Sequence, residues 1–210
     1  MSADFQRRAI DAAAAAIRDN AALLTELDSA IGDGDHGANM TRGFDAVAAT
    51  AGELGELATG PALQRLGMTL VSNVGGASGP LYGSLFMAMG TALADRPLDA
   101  DALVAALEQG IAAVQKRGKA EAGEKTMLDV LIPVQRALQA GLDAGERAPG
   151  ELAARARAAA EQGLAATRDL QATKGRAAYL GARSVGHLDP GAQSSCLLVA
   201  TLADLCREEA

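Results

Sequence analysis

An all-α fold is what this sequence predicts. Ala and Leu, both strong helix formers, dominate its apolar residues, while aromatic side chains make up only 2% of the 210 residues and leave little material for a sheet. Apolar residues also recur at helical spacing through most of the chain. The length suits one ordinary domain with a sizeable core, so residues 1–210 are read as a single domain.

Taken in order, the periodic stretches place helices near residues 4–24, 39–51, 61–72, 81–94, 101–117, 127–142, 151–170, 175–184 and 192–207. With a typical connection length of ~4–6 residues as a guide, this gives roughly eight or nine helices. Pro61 suits a first helical turn, Asp99 or Asp101 can cap the helix that follows, and Pro149 precedes another. The Ala12–Ala16 run reads as closely packed helix. Residues 66–94 carry no charged side chain, but Gly75, Gly76, Gly79 and Pro80 interrupt them. The apolar pieces on either side are too short to span a bilayer core of roughly 30 Å. A buried helical hairpin with a glycine-rich turn is expected there, and no membrane segment.

The formal net charge of -7 argues against a nucleic-acid-binding surface. It does not exclude a phosphorylated ligand, provided a metal or backbone donors neutralise it. Cys196 and Cys206 would lie about 15 Å apart on one helix, too far for a disulfide. Unpaired thiols and no recognisable signal peptide lead to an expectation of the cytoplasm.

The loops are more unusual than the helices, because four of them are rich in Gly and polar groups. The first contains Asp28, Asp33 and Asp35, three carboxylates that repel one another unless solvated or bound to a cation. On a continuous helix Asp28 and Asp35 would share a face with Asp33 about 140° away, whereas Gly32, Gly34 and Gly37 favour a turn that folds all three inward. Such oxygen ligands suit Mg²⁺ or Ca²⁺. An EF-hand is excluded: counting from Asp33, the twelfth position is Phe44 where a bidentate Glu is required, and counting from Asp28 puts Ala30 at the third. A solvated acidic turn capping the helix near Asn39 stands beside the metal reading. His36 is open to several roles: metal ligand, phosphate donor, phosphorylated nucleophile or helix-start residue.

The second loop, Gly75-Gly76-Ala77-Ser78-Gly79, lets its backbone approach a ligand closely, and Pro80 opens a helix whose N-terminus favours an anion. No Gly-Lys-Ser/Thr follows, so it is not a P-loop. The third, residues 117–127, is charged and flexible; it reads as a solvated loop, with phosphate or partner contacts by its lysines as the alternative, and Met127 and Leu128 are available either to a base or to the core. In the fourth, Arg176 offers a planar fork to phosphate, and Asp189-Pro190-Gly191 reads as a turn able to meet a ribose or a metal-bound water.

Taken together, LDSAIGDGDHGANMTRG (27–43), GMTLVSNVGGASGPLYG (67–83), residues 117–134 and residues 174–191 with KGRAAYLG resemble the DhaL family. These are the ADP-binding subunits of bacterial dihydroxyacetone kinases, together with the homologous C-terminal domains of single-chain dihydroxyacetone kinases. The four runs occur in the family's order, and their combination is far more specific than any one of them. The resemblance implies a barrel of about eight antiparallel helices with the nucleotide capping one end. It maps Mg²⁺ ligands onto Asp28, Asp33 and Asp35. It places ADP or ATP contacts at His36, Gly37, Ala38, Asn39, Ala77, Ser78, Gly118 and Met127, completed by Arg176, Asp189, Pro190 and Gly191. It makes His36 a phosphate contact and assigns no catalytic base to this chain.

The resemblance also implies partners. A separate subunit binds dihydroxyacetone, and a phosphohistidine subunit of the phosphotransferase system phosphorylates ADP held here as a coenzyme. Two other roles stay open: a subunit of an ATP-dependent dihydroxyacetone or tetrulose kinase, and a nucleotide-dependent regulator that binds a transcription factor.

Overall fold

The computed structural model describes residues 2–94 and 96–208. The domain span 1–210 thus includes Met1, Asp95, Glu209 and Ala210, which lie outside the described residues. Ten α-helices follow one another: α1 (Ala3–Asp19), α2 (Ala21–Ile31), α3 (His36–Ala48), α4 (Ala51–Gly55), α5 (Thr59–Asn73), α6 (Ser78–Ala92), α7 (Ala100–Gly118), α8 (Leu128–Asp143), α9 (Pro149–Ala166) and α10 (Pro190–Glu208). Two 3-10 segments, Thr167–Asp169 and Arg176–Ser184, lie between α9 and α10. No strand occurs among the described residues.

Local chemistry sets the helix starts. Ser2 accepts the Phe5 N–H at 3.1 Å to cap α1, and Asp99 accepts the Ala102 N–H at 2.7 Å to cap α7, as expected. Pro149 opens α9, where its missing N–H has no partner to lose. Asp189 accepts the Ala192 N–H at 2.7 Å and starts α10 two residues earlier than its apolar pattern suggests.

Eight helices close a ring, each packing on the next in the order α1, α3, α5, α6, α7, α8, α9, α10 and back to α1. Arg8 near the start of α1 pairs with Glu208 at the end of α10. Gln6 donates to the carbonyls of Leu54 and Leu57, beyond the end of α3. So α1 runs against both its neighbours, α10 and α3, and the short connections from α5 to α9 continue the alternation. The N-termini of α3, α6, α8 and α10 therefore open at one end of the barrel. Helix α2 packs on α3 and α10, while α4 packs on α1 and α5.

The expected helix boundaries need four corrections. Residues 4–24 form two helices, not one: the chain breaks at Asn20, whose side chain donates back to the Ala16 carbonyl at 2.8 Å. The helix expected from residue 39 already begins at His36, and residues 51–55 form the separate short helix α4. The helix expected over 151–170 leaves α geometry after Ala166 for a 3-10 turn. Residues 176–184 form a 3-10 segment interrupted at Gly181 (φ 56°, ψ -129°), a conformation open to glycine, instead of an α-helix.

The charge-free stretch 66–94 does form a hairpin, α5 against α6, but it is buried on one face only, with Met68 and Val71 exposed, and no helix of the described residues is long and apolar enough to cross a membrane. Its two helices meet backbone to backbone through glycine. A Cβ on Gly67 would lie 2.8 Å from the Gly83 carbonyl oxygen, and one on Gly90 would lie 2.5 Å from that of Gly60. Between α6, α7, α8, α9 and α10 lies an apolar pocket of about 470 Å³, open to solvent, with Tyr82 and Ser195 among its lining. Because neither backbone at the glycine contacts can yield without separating the helices, Gly67→Ala is expected to destabilise the protein by about 1–3 kcal/mol. Urea denaturation followed by circular dichroism measures this.

Candidate functional site

At the end of the barrel where four helices start, a cleft of about 440 Å³ opens. Its floor is the turn between α2 and α3. Asp28 lies in the last turn of α2 and is buried, and its Oδ2 accepts the backbone N–H of Asp35 at 2.8 Å and of His36 at 3.1 Å. Those two bonds fold the loop back over the carboxylate. Gly32 is required by the fold-back, since a Cβ there would fall 2.0 Å from Asp28 Oδ1. Gly34 takes positive φ (75°) at the loop's tip.

The result brings Asp28, Asp33 and Asp35 together, with one carboxylate oxygen from each within 4.8 Å of the others. Oxygen-only ligands of this kind suit a hard divalent cation such as Mg²⁺. The structure itself places a cation against the cluster: Arg176 Nη2 lies 2.9 Å from Asp33 Oδ2.

His36 opens α3 and is buried at the side of the cleft. Its Nδ1 lies 3.1 Å from Ser78 Oγ at the start of α6, and its Nε2 lies 2.9 Å from Ser194 Oγ on α10. The chain of hydroxyls continues inward, because Tyr82 Oη lies 2.8 Å from both Ser194 Oγ and Ser195 Oγ. Burial holds the His36 imidazole below its usual pKa, against the opposing pull of Asp28 and Asp35. Burial likewise pushes Tyr82 up to about 12, so its hydroxyl keeps its proton. Both nitrogens of His36 are engaged, which leaves it fixed in orientation and badly placed to serve as a nucleophile.

Asp28, Asp33, Asp35, His36, Ala77, Ser78, Gly118, Met127, Arg176, Asp189, Pro190 and Gly191 all line the cleft. Three of the predicted contacts do not. Gly37 is packed on α2, where a Cβ would meet the Ala21 carbonyl at 2.1 Å; Ala38 is exposed outside the cleft; and the Asn39 carboxamide accepts from Arg42 at 2.8 Å.

Sequence reasoning missed the hydroxyls of Tyr82, Ser194 and Ser195, although Ser194 follows the Asp-Pro-Gly turn by one helical turn. Its reading of the loop 117–127 as solvated holds for Arg117, Lys119, Glu121, Ala122 and Gly123, which are exposed, and fails at Lys125. Lys125 in that loop is only 1% exposed, and its ammonium is spent on backbone carbonyls. Asp129, read only as part of a helix, ties the same loop by accepting from Gly123 and Thr126.

Asp189 is the second buried carboxylate of the cleft. Burial pushes its pKa from 3.8 up to about 7; the backbone donors of Ala192 and Gly191 and the charge of Lys125 pull the other way, and Asp129 adds to the rise. A raised acid pKa means that the native state holds a proton the unfolded state has lost between about pH 4 and 7. The stability from this group is therefore full below about pH 4 and is lost as the pH rises through 7. Asp189→Asn mimics the protonated form at every pH. The melting temperature of the wild type is expected to fall relative to that of Asp189→Asn between pH 5 and 8, which scanning calorimetry of the nucleotide-free protein would record.

Four helix N-termini, loops with close backbone approach and a carboxylate triad define a class: an all-α barrel that gathers helix N-termini and converging carboxylates at one end. The chain belongs to the DAK2 domain family, whose match runs over residues 30–204. It is 47% identical over 87% of its length to the protein named PEP-dependent dihydroxyacetone kinase 1, ADP-binding subunit DhaL, of Listeria innocua, of which 86% is covered. It is 44% identical over 88% of its length to the PEP-dependent dihydroxyacetone kinase, ADP-binding subunit DhaL, of Escherichia coli, again with 88% of that protein covered. Among solved structures, the dihydroxyacetone kinase of C. freundii in complex with AMP-PNP and Mg²⁺ superposes with a TM-score of 0.74 at 25% identity over 95% of this chain. This chain spans 33% of that longer enzyme.

Proposed function

We propose that this chain is the ADP-binding subunit of a dihydroxyacetone kinase system and holds Mg-ADP as a coenzyme in the cleft at the barrel end. The observation that carries the reading is the coincidence, in one cleft, of three converging carboxylates with the N-termini of α3, α6, α8 and α10. The family and the DhaL relatives, similar along nearly the whole chain, support it.

In this reading the backbone donors of Ala77 and Ser78 and the Arg176 fork receive phosphate oxygens, and His36 is a further phosphate contact held by Ser78 and Ser194. Asp28, Asp33 and Asp35 hold Mg²⁺, which when bound neutralises phosphate charge. Gly118 and Met127 face the base, and Asp189–Gly191 close the cleft on the nucleoside side. The contacts expected at Gly37, Ala38 and Asn39 belong to the start of α3, reached only through its backbone end.

The chemistry is transfer without a base from this chain. A partner's phosphohistidine loses its P–N bond as an oxygen of the ADP β-phosphate forms the new P–O bond, giving ATP. The γ-phosphoryl then breaks its P–O bond to ADP and joins a hydroxyl oxygen of dihydroxyacetone on a second partner, which takes up the proton that the hydroxyl releases. Positioning and charge neutralisation suffice for such steps. A cytoplasmic location goes with these partners.

Asp33→Ala and Asp35→Ala are each expected to abolish Mg-ADP retention with little change in melting temperature, since both side chains are exposed. Titration calorimetry with ADP and Mg²⁺ tests this, and wild-type affinity in either variant would remove the triad from the site. The coenzyme role predicts that native mass spectrometry of gently purified protein finds ADP bound. Its absence, together with rapid turnover on free ATP beside a sugar-binding subunit, would instead make this an ATP-dependent kinase subunit.

A further inference from the structure

Lys125 lies in the middle of the connection between α7 and α8, in left-handed backbone (φ 63°) that a non-glycine residue keeps only when its surroundings hold it there. Its ammonium donates to three carbonyls: Thr167 at 2.5 Å, Leu170 at 3.2 Å and His187 at 2.5 Å. All three N–H donors of the group are thus matched by acceptors from a different part of the chain.

The positions of those carbonyls matter. Leu170 and His187 are the two feet of the excursion that leaves the barrel after α9 and returns to start α10. Gly186 also bonds across these feet, donating to the Arg168 carbonyl at 2.7 Å. Further out, Glu124 accepts from Thr173 Oγ1 at 2.9 Å and lies 3.6 Å from Lys174 Nζ. Beyond that point the excursion rests on a small cluster of Ile31, Ala172 and Ala177, with Leu180 packed against it. Arg176 reaches from it to the acidic floor, 2.9 Å from Asp33.

We propose that Lys125 is a positioning residue for the nucleotide site: its ammonium clips the feet of the 170–187 excursion together and so delivers Arg176 over the aspartate loop. The three bonds hold backbone, so the clip fixes where the excursion stands without touching a ligand. Exposed and long, the Arg176 side chain owes its location to the backbone that carries it. Removing the clip frees the feet, and Arg176 loses its address while the barrel helices keep their own packing.

The test is a double-substitution cycle of Lys125→Met with Arg176→Ala. Amide exchange by mass spectrometry, on nucleotide-free protein, should speed up at least tenfold in residues 171–186 of Lys125→Met and stay unchanged in α1 and α5. Calorimetry with Mg-ADP should show at least tenfold weaker binding for Lys125→Met alone, but less than a twofold further loss when Arg176 is already Ala. Equal losses in both backgrounds, or unchanged exchange in 171–186, would overturn the proposal. If Lys125→Met does not fold, Lys125→Gln, which keeps two of the N–H donors, goes through the same cycle. Only the affinity half rests on the nucleotide reading above. Wild-type protein that fails to bind ADP would defeat that reading, and the exchange half would still decide the clip.

Discussion

The Asp28 carboxylate is the interaction on which the site depends. It is buried at the end of α2, and a buried anion without donors would cost several kcal/mol. The N–H groups of Asp35 and His36 supply those donors, and both belong to the next helix. Satisfying one carboxylate therefore reverses the chain, starts α3 and draws Asp33 and Asp35 to the same corner. At about 4 Å in an effective dielectric of 20, like charges repel by about 4 kcal/mol, so such a corner needs positive charge nearby. Arg176 provides it beside Asp33, and the N-terminal ends of the helices provide it from behind.

The barrel makes that second source possible. In a ring of alternating helices, every other N-terminus opens at the same end. The site loops run between them, so each loop ends at a helix N-terminus that borders the cleft and favours negative charge. Side-chain bulk is what these loops cannot afford: at Gly32 a methyl would strike Asp28, and at Gly79 it would strike the Val74 carbonyl at 2.3 Å. The glycine content that marked the loops in the sequence reflects this close approach as much as turn geometry.

Much of this was legible in the sequence, for a physical reason in each case. Helix content followed from Ala and Leu, and the hairpin of α5 and α6 from a charge-free stretch broken by glycines; both are local properties. The aspartate triad was legible as a cluster, because its members lie within eight residues. What local patterns cannot carry are contacts made across the fold. Ser194 lies 158 residues from His36 and Tyr82 lies 112 from Ser194, so the buried hydroxyl chain has no signature along the chain. Lys125 was misread because a lysine among glycines and charges resembles a solvated loop; only the carbonyls of Thr167, Leu170 and His187 make it an interior residue. The break at Asn20 was hidden because apolar spacing continues through it, while the helix must turn to cover the barrel end.

What the site lacks in reactive groups follows from the same contacts. The His36 imidazole, a candidate for covalent chemistry in the cleft, has both nitrogens against serine hydroxyls, and burial lowers its pKa. Asp189 spends its carboxylate on the start of α10, and Lys125 spends its ammonium on carbonyls. The side chains that remain uncommitted at the mouth, Asp33, Asp35 and Arg176, are charges whose partners can be exchanged. Asp33 now pairs with Arg176; a divalent cation taken up by Asp33 would compete for that carboxylate and release the guanidinium toward a phosphate. A cleft with fixed interior groups and exchangeable charges at its mouth is suited to holding a phosphorylated ligand while chemistry is brought to it by other proteins.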